Sequence, residues 1–317
     1  MTVSLVTGGA GFIGSHLVNA LLERGDQVRV LDNFSTGSRE NLAAVLDALT
    51  LIEGDLRDPA AVQQAVEGAD YVFHLAAYVS APKSMLEPQV CFDINVAGTL
   101  QLFEAARRAG VRQVVIASSA AVYGDAPDLP LQESTPARPL SPYGTSKQVD
   151  EAYASLYTLA FGLPVASLRF FNVFGPRQSP QSDYAAVIPI FIRRLLDGQP
   201  LTIYGDGLQK RDFVYVGDVV RALMLAAGSP QAGGQVFNVC SGREVTLLEL
   251  IEILGEFLPL EQEPQFAAPR PGDIYRSLGS PEKAAQVLGF RPQVGLQEGL
   301  RQTAAWMGQY QTEKRGI

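Results

Sequence analysis

The chain has 317 residues, of which 47% are hydrophobic and 18% charged, enough to bury a large core and too apolar for a disordered chain. A formal net charge of −8 argues against a nucleic-acid-binding surface, which needs a basic stripe, although a local basic pocket for a diphosphate stays open. The two cysteines (Cys91, Cys240) and two histidines (His16, His74) show no metal-type spacing, so no metal site or disulfide framework is expected and a reducing cytoplasm fits.

Residues 3–7 read as a strand that starts almost at once, without the basic stretch of a signal peptide, so none is expected. Residues 12–24 carry apolar side chains at Ile13, Leu17, Ala20 and Leu21, a helical spacing that places His16 on that helix, and Gly25 ends it. Residues 27–31, 51–52, 71–75, 114–117 and 165–168 read as further strands with helices between them; His74 falls at a strand end. Both histidines are expected in structural roles. Such alternation predicts a parallel sheet covered on both faces, because parallel strands need crossover connections.

After about residue 174 the rhythm changes. Pro176, Pro180 and Pro189 break up the next stretch, a short helix is expected over 187–196, and a strand–helix unit over 213–227 is expected to return to the sheet. Residues 247–257 and 296–307 read as helices, and no apolar run approaches bilayer length. The fold class is α/β: a Rossmann, doubly wound parallel sheet with a smaller C-terminal α/β lobe. The large domain is expected over 1–174, rejoined by about 213–240, and the lobe over 175–212 and 241–317.

Between the first strand and helix lies Thr7-Gly8-Gly9-Ala10-Gly11-Phe12-Ile13-Gly14. Glycines at Gly8, Gly11 and Gly14 permit a tight turn and bring backbone N–H groups close to a pyrophosphate at the helix N-terminus. Asp32 ends the second strand, where a carboxylate accepts from a ribose 2′-hydroxyl and repels a 2′-phosphate, so NAD is expected rather than NADP. Gly54-Asp55-Leu56 and Leu75-Ala76-Ala77 fall at strand ends, where such folds place the adenosine side of the ligand.

Ser141-Pro142-Tyr143-Gly144-Thr145-Ser146-Lys147 reads as a helix start, with Ser141 as N-cap and Pro142 in the first position. Tyr143 and Lys147 are four apart and share a face. A cation there, with the positive charge of oxidised nicotinamide, favours phenolate and makes Tyr143 a usable base. Alone, the same pair reads better as a solvated surface pair; downstream of this glycine loop it becomes a strong signal.

With these motifs in order, the chain resembles the extended short-chain dehydrogenase/reductases of the nucleotide-sugar epimerase and dehydratase group, in particular its UDP-glucose 4-epimerase family. The match runs through Asn33, Asn95-Val96, Ser118 to Gly124, Arg169 to Asn172, Gly205-Asp206-Gly207, Arg211-Asp212-Phe213 and Arg270 to Asp273. The resemblance implies Ser119, Tyr143 and Lys147 as catalytic residues. It implies cofactor contacts at Gly8, Gly11, Phe12, Ile13, Gly14, Asp32, Asn33, Asp55, Leu56, Leu75, Ala76, Ala77, Asn95, Ser118, Tyr143 and Lys147. Dehydratases of the group carry Asp-Glu after the catalytic hydroxyl, and UDP-glucuronate decarboxylases a Glu; here Ala120 and Ala121 follow Ser119. GDP-fucose-synthase-like enzymes need a Cys and a His for epimerisation beside the keto group, and the two histidines here lie elsewhere. What remains is oxidation and re-reduction at C4.

For the substrate, the resemblance implies Ser119, Tyr143, Asn172, Val187, Tyr204, Arg211, Arg270, Asp273 and Ser277. Two guanidiniums suit a diphosphate, and Asp273 suits ribose hydroxyls. A small residue at Ser277 implies room for a 2-N-acetyl group, hence UDP-GlcNAc/GalNAc as well as UDP-Glc/Gal. A UDP-glucuronate 4-epimerase, a catalytically silent NAD-binding regulator, and thymine in place of uracil stay open. A homodimer is implied, with helices over 89–109 and 141–161 pairing through Leu102, Phe103, Tyr153 and Leu156, positions that core packing explains as readily.

Overall fold

A computed structural model describes residues 1–180, 186–269 and 274–315. The chain opens with β1 (Val3–Thr7), α1 (Phe12–Glu23), β2 (Gln27–Asp32) and β3 (Leu49–Glu53). Then come α2 (Pro59–Val66), β4 (Tyr71–His74), α3 (Ala81–Leu86) and α4 (Pro88–Phe92). A π-helical turn, Asp93–Ala97, carries α4 into α5 (Gly98–Ala109), followed by β5 (Gln113–Ser119), α6 (Pro142–Phe161) and β6 (Val165–Phe170). β7 (Asn172–Phe174), α7 (Val187–Leu196), β8 (Thr202–Tyr204) and β9 (Lys210–Tyr215) leave the first body of the protein. The chain ends with α8 (Val216–Gly228), β10 (Val236–Val239), β11 (Glu244–Thr246), α9 (Leu247–Gly255), β12 (Gln265–Ala267), α10 (Glu282–Leu288) and α11 (Leu296–Arg315).

Seven strands form one parallel sheet in the order β10-β6-β5-β4-β1-β2-β3. Alternating side chains along each strand face opposite sides, and both faces are apolar. Val30, Phe73 and Val115 pack with Leu17 and Leu21 of α1 and Leu223 of α8. Their neighbours Leu31, Val72 and Val114 pack on the other face with Val62 of α2, Leu102 and Phe103 of α5 and Tyr157 of α6. Each such buried side chain contributes about 1.5–3 kcal/mol of transfer free energy. Leu102 and Phe103 are thus core residues; of the four positions considered for pairing between subunits, only Leu156 is strongly exposed.

The chain runs from β1 outward to β3 and then returns past β1 to β4. Strand order therefore reverses between β1 and β4, which opens a crevice at their C-terminal ends.

Two expectations change. The strand expected around residue 213 does not join the main sheet: β9 pairs with β7 and β11 in a separate three-stranded sheet. The edge of β6 it would have used is taken by β10, with Val236 opposite Ser167. The helix after β9 does return, packing against α1. The helix expected over 89–109 exists, but its hydrogen bonding shifts to the π pattern at Asp93–Ala97. In the lobe, α7, α9 and α11 bury Ile192, Leu250 and Leu300 in a core of their own.

Candidate active site

A cleft of about 1000 Å³ begins at the crevice and continues into the lobe, with Gly8 and Gly11 to Gly14 at one end and Tyr204 and Arg211 at the other. Gly8 takes φ +71, and a Cβ on it would lie 2.7 Å from Ala76 N, so the turn and the β4 loop touch backbone to backbone. A Cβ on Gly14 would lie 2.1 Å from Gly8 O, which seats α1 directly under the turn. No side chain caps the N-terminus of α1, which leaves its first N–H groups for an anion.

Asp32 is buried at the end of β2 and lines the cleft. Its Oδ2 accepts from Ala10 N at 2.8 Å and its Oδ1 from Phe34 N at 2.8 Å. It therefore braces the glycine turn while lining the cleft, and burial pushes its carboxyl up against the pull of those two bonds. Asn33 Nδ2 donates to Asp55 at 2.8 Å, and Arg57 forks onto the same carboxylate, holding it well below the usual carboxylate range. Leu56, Leu75, Ala76 and Ala77 complete this wall. Behind it, His74 bridges Thr7 and Thr99, and burial lowers its ring to about 3. His16 bonds the Pro176 carbonyl at 2.9 Å. Both histidines are structural.

Ser141 caps α6 by accepting from Gly144 N at 3.1 Å, and Pro142 takes the first turn. The helix start is pinned by Tyr143 N donating to the buried Ser84 hydroxyl at 3.1 Å. Tyr143, Lys147 and Ser119 all line the cleft, brought together from α6 and the C-terminal end of β5. Lys147 is 3% exposed, with Nζ 3.4 Å from Asp150 Oδ2. Ser119 Oγ accepts from Ala121 N at 3.1 Å, leaving its proton for another partner. Ser118 also lines the cleft, but its hydroxyl donates to Glu151, which in turn takes a two-bond fork from Arg169 at 2.8 and 2.7 Å. Arg169 lies over the Tyr123 ring at 4.5 Å, and burial holds the Tyr123 phenol up at about 12. That phenol is no base.

Asn95 is placed differently from the cofactor contact expected of it. It does not line the cleft: its amide accepts from Tyr78 N at 2.7 Å and donates to Ser146 Oγ at 2.9 Å, tying the β4 loop to α6. In the lobe, Asn172, Val187, Tyr204 and Arg211 line the cleft. Arg211 Nη1 donates to Lys210 O at 2.9 Å. Ser277 does not line the cleft; its N–H donates to Lys210 O at 3.1 Å, one residue from Arg211. Arg270 and Asp273 lie outside the described residues. Sequence reasoning missed Tyr78, Lys83, Gln178 and Arg194, which also line the cleft. Tyr78 was within reach of the rule that ligands sit at strand ends, since it follows β4 by four residues. Among the described residues, no three His, Cys, Asp or Glu side chains form a metal cluster.

The model of the NAD dependent epimerase/dehydratase family matches residues 4–240. The chain belongs to that family. The cofactor of this family member is NAD, and the Gly8–Gly14 cradle, the open N-terminus of α1 and Asp32 fit it. A UDP-glucose 4-epimerase of Mycolicibacterium smegmatis is 42% identical over 304 residues, 95% of this chain and 96% of its own. A solved UDP-N-acetylglucosamine 4-epimerase from Methanobrevibacter ruminantium, in complex with UDP-N-acetylmuramic acid, is 41% identical with a TM-score of 0.94, covering 98% and 99% of the two chains. A UDP-glucose 4-epimerase of Thermus thermophilus in complex with NAD is 42% identical with a TM-score of 0.87, covering 96% and 98%.

Proposed function

We propose that this chain is an isomerase that inverts C4 of a UDP-hexose, interconverting UDP-Glc with UDP-Gal and UDP-GlcNAc with UDP-GalNAc through a transient 4-keto sugar. The observation that carries the reading is the meeting of Ser119, Tyr143 and Lys147 on one wall of the cleft, followed by Ala120 and Ala121. Methyl groups neither donate nor remove a proton, so that turn offers nothing for a dehydration. The epimerases named above support the same conclusion.

Bound NAD supplies the hydride acceptor and, on return, the donor. Tyr143 takes the proton of O4 and later gives one back, while Ser119 Oγ holds O4 in place. Lys147, buried beside the cleft, presents its ammonium charge on the face of α6 that carries Tyr143. Arg211, with Arg270, grips the diphosphate; Asp273 takes ribose hydroxyls; Asn172, Val187 and Tyr204 hold the nucleotide end. The anchored nucleotide lets the flat keto ring turn and present its other face.

The test is to incubate the purified protein with each UDP-hexose and with UDP-glucuronate and follow the C4 epimer by NMR. Inversion of the hexoses is expected. No turnover, with NAD still bound, would favour the regulator instead.

A homodimer completes the reading. Met85, Leu86, Phe92 and Leu140 near one end of α6 and Leu156 and Leu159 along it are exposed, an apolar face suited to two-fold helix pairing. Sedimentation that gives a monomer would refute it. Unpaired Cys91 and Cys240 support a cytoplasmic setting, and among the described residues no helix is long and apolar enough to cross a membrane.

A further inference from the structure

Asp150 takes no part in the chemistry described above, yet it occupies an unusual place. It is 2% exposed and three residues after Lys147, on the same face of α6. Its Oδ2 lies 3.4 Å from Lys147 Nζ, and its Oδ1 has no hydrogen-bond partner. A buried carboxylate is normally wrapped in donors, as Asp212 is by Ser241, Gly242 and Gly279, because a bare one is costly. Among the described residues, Asp150 has only the lysine.

The groups around the pair do not replace that partnership. Glu151, its neighbour on α6, is committed to Arg169 and Ser118. From α4, Cys91 faces the pair with a thiol that burial pushes up and so keeps protonated. From β4, His74 faces Lys147 and is held neutral by burial and by that cation.

We propose that Asp150 is a positioning residue for Tyr143 that acts through Lys147: it fixes the ammonium at the cleft wall and, when ionised, offsets its field at the phenol. The inference rests on the assignment of Tyr143 and Lys147 made above. Burial pushes the Asp150 carboxyl up to about 7 against the opposing pull of Lys147, so its charge changes near neutral pH. A neutral Asp150 leaves the whole ammonium charge to favour phenolate, and an ionised one cancels part of it. The strength of the base is thereby tied to pH by a group that never touches the sugar.

The test is Asp150→Asn, which keeps the shape and removes the charge. The Tyr143 phenol is titrated by ultraviolet difference absorbance in the NAD-loaded enzyme, against Tyr143→Phe as the blank. Its midpoint is expected to fall by roughly half a unit or more, and the rising limb of kcat against pH to move with it. In a Lys147→Met background the same substitution is expected to move the phenol midpoint far less, because coupling needs both partners. An unmoved midpoint, or an equal shift without Lys147, overturns the proposal. Asp150→Ser is made alongside; if neither variant folds, Asp150 is structural and the proposal falls. The titration needs no substrate, so inactivity of the wild type toward UDP-hexoses would count against the proposed function and leave this inference to the phenol.

Discussion

Replacing Arg169 by Met breaks a buried, two-bond ion pair directly behind the cleft-lining Ser118. Both partners have only 7% of their side-chain surface exposed, and the fork of 2.8 and 2.7 Å accounts for the guanidinium side of the Glu151 carboxylate. With Arg169 gone, Glu151 keeps only the Ser118 hydroxyl, an uncompensated buried charge that costs about 3–5 kcal/mol. At about 2.1 cal/mol/K per residue, the 317-residue chain should lose roughly 4–8 °C in Tm. Urea unfolding and a thermal scan measure the loss. The double variant Glu151→Leu/Arg169→Met removes both charges and should recover most of it, leaving about 1 kcal/mol for the unpartnered Ser118 hydroxyl. A single variant within about 1 kcal/mol of wild type, or a double variant no more stable than the single, would refute the reasoning.

Gly14→Ala drives a methyl group into Gly8 O, so purified protein should carry far less NAD, and wild-type content after acid release would contradict the cradle. Asp32→Ala strips Ala10 and Phe34 N–H groups of their acceptor, at about 1–3 kcal/mol for each left bare; it should weaken NAD binding without creating an NADP enzyme, as titration with both dinucleotides would show. The raised carboxyl of Asp150 contributes stability that is complete below the unfolded value near 3.9 and is lost as pH rises through about 7. Asp150→Asn should therefore gain in urea midpoint relative to wild type between about pH 4 and 7, and parallel profiles would contradict this. Ser277 does not itself line the cleft, but it is bonded to Lys210 O beside the cleft-lining Arg211. The longer side chain of Ser277→Tyr is therefore expected to reach the cleft and abolish turnover of the N-acetylated pair while sparing UDP-Glc and UDP-Gal; equal loss of both would contradict this.

The sheet was legible because β1, β2, β4, β5 and β6 are short apolar runs separated by helical spacing, and burial of both faces demands that pattern. Their ends moved by a residue or two, since the limits of pairing depend on the neighbouring strand. The place of β9 was not legible: its own residues suit any sheet, and what excluded it was β10 on the edge of β6. At the site, Tyr143, Lys147 and Ser119 could be placed on the wall from helix spacing and motif. The tasks of Asn95 and the Ser118 hydroxyl could not, because each bonds a side chain more than thirty residues away in sequence, on α6. Asp150 was passed over for the opposite reason. A carboxylate three residues from a lysine looks like a solvated helix pair until burial is known.

The late arrival of β10 bears on how the protein is made. Sixty-five residues lie between Phe170 and Val236, and all of them leave the ribosome before the sheet can be closed. At about 5–20 residues per second that is roughly 3–13 s during which β6, every residue of which is buried in the folded protein, presents an unpaired edge. Such edges recruit other strands. The nascent chain is thus most exposed to misassembly when its cofactor-binding half is already complete, and fragments that stop short of Val236 should be the ones that aggregate.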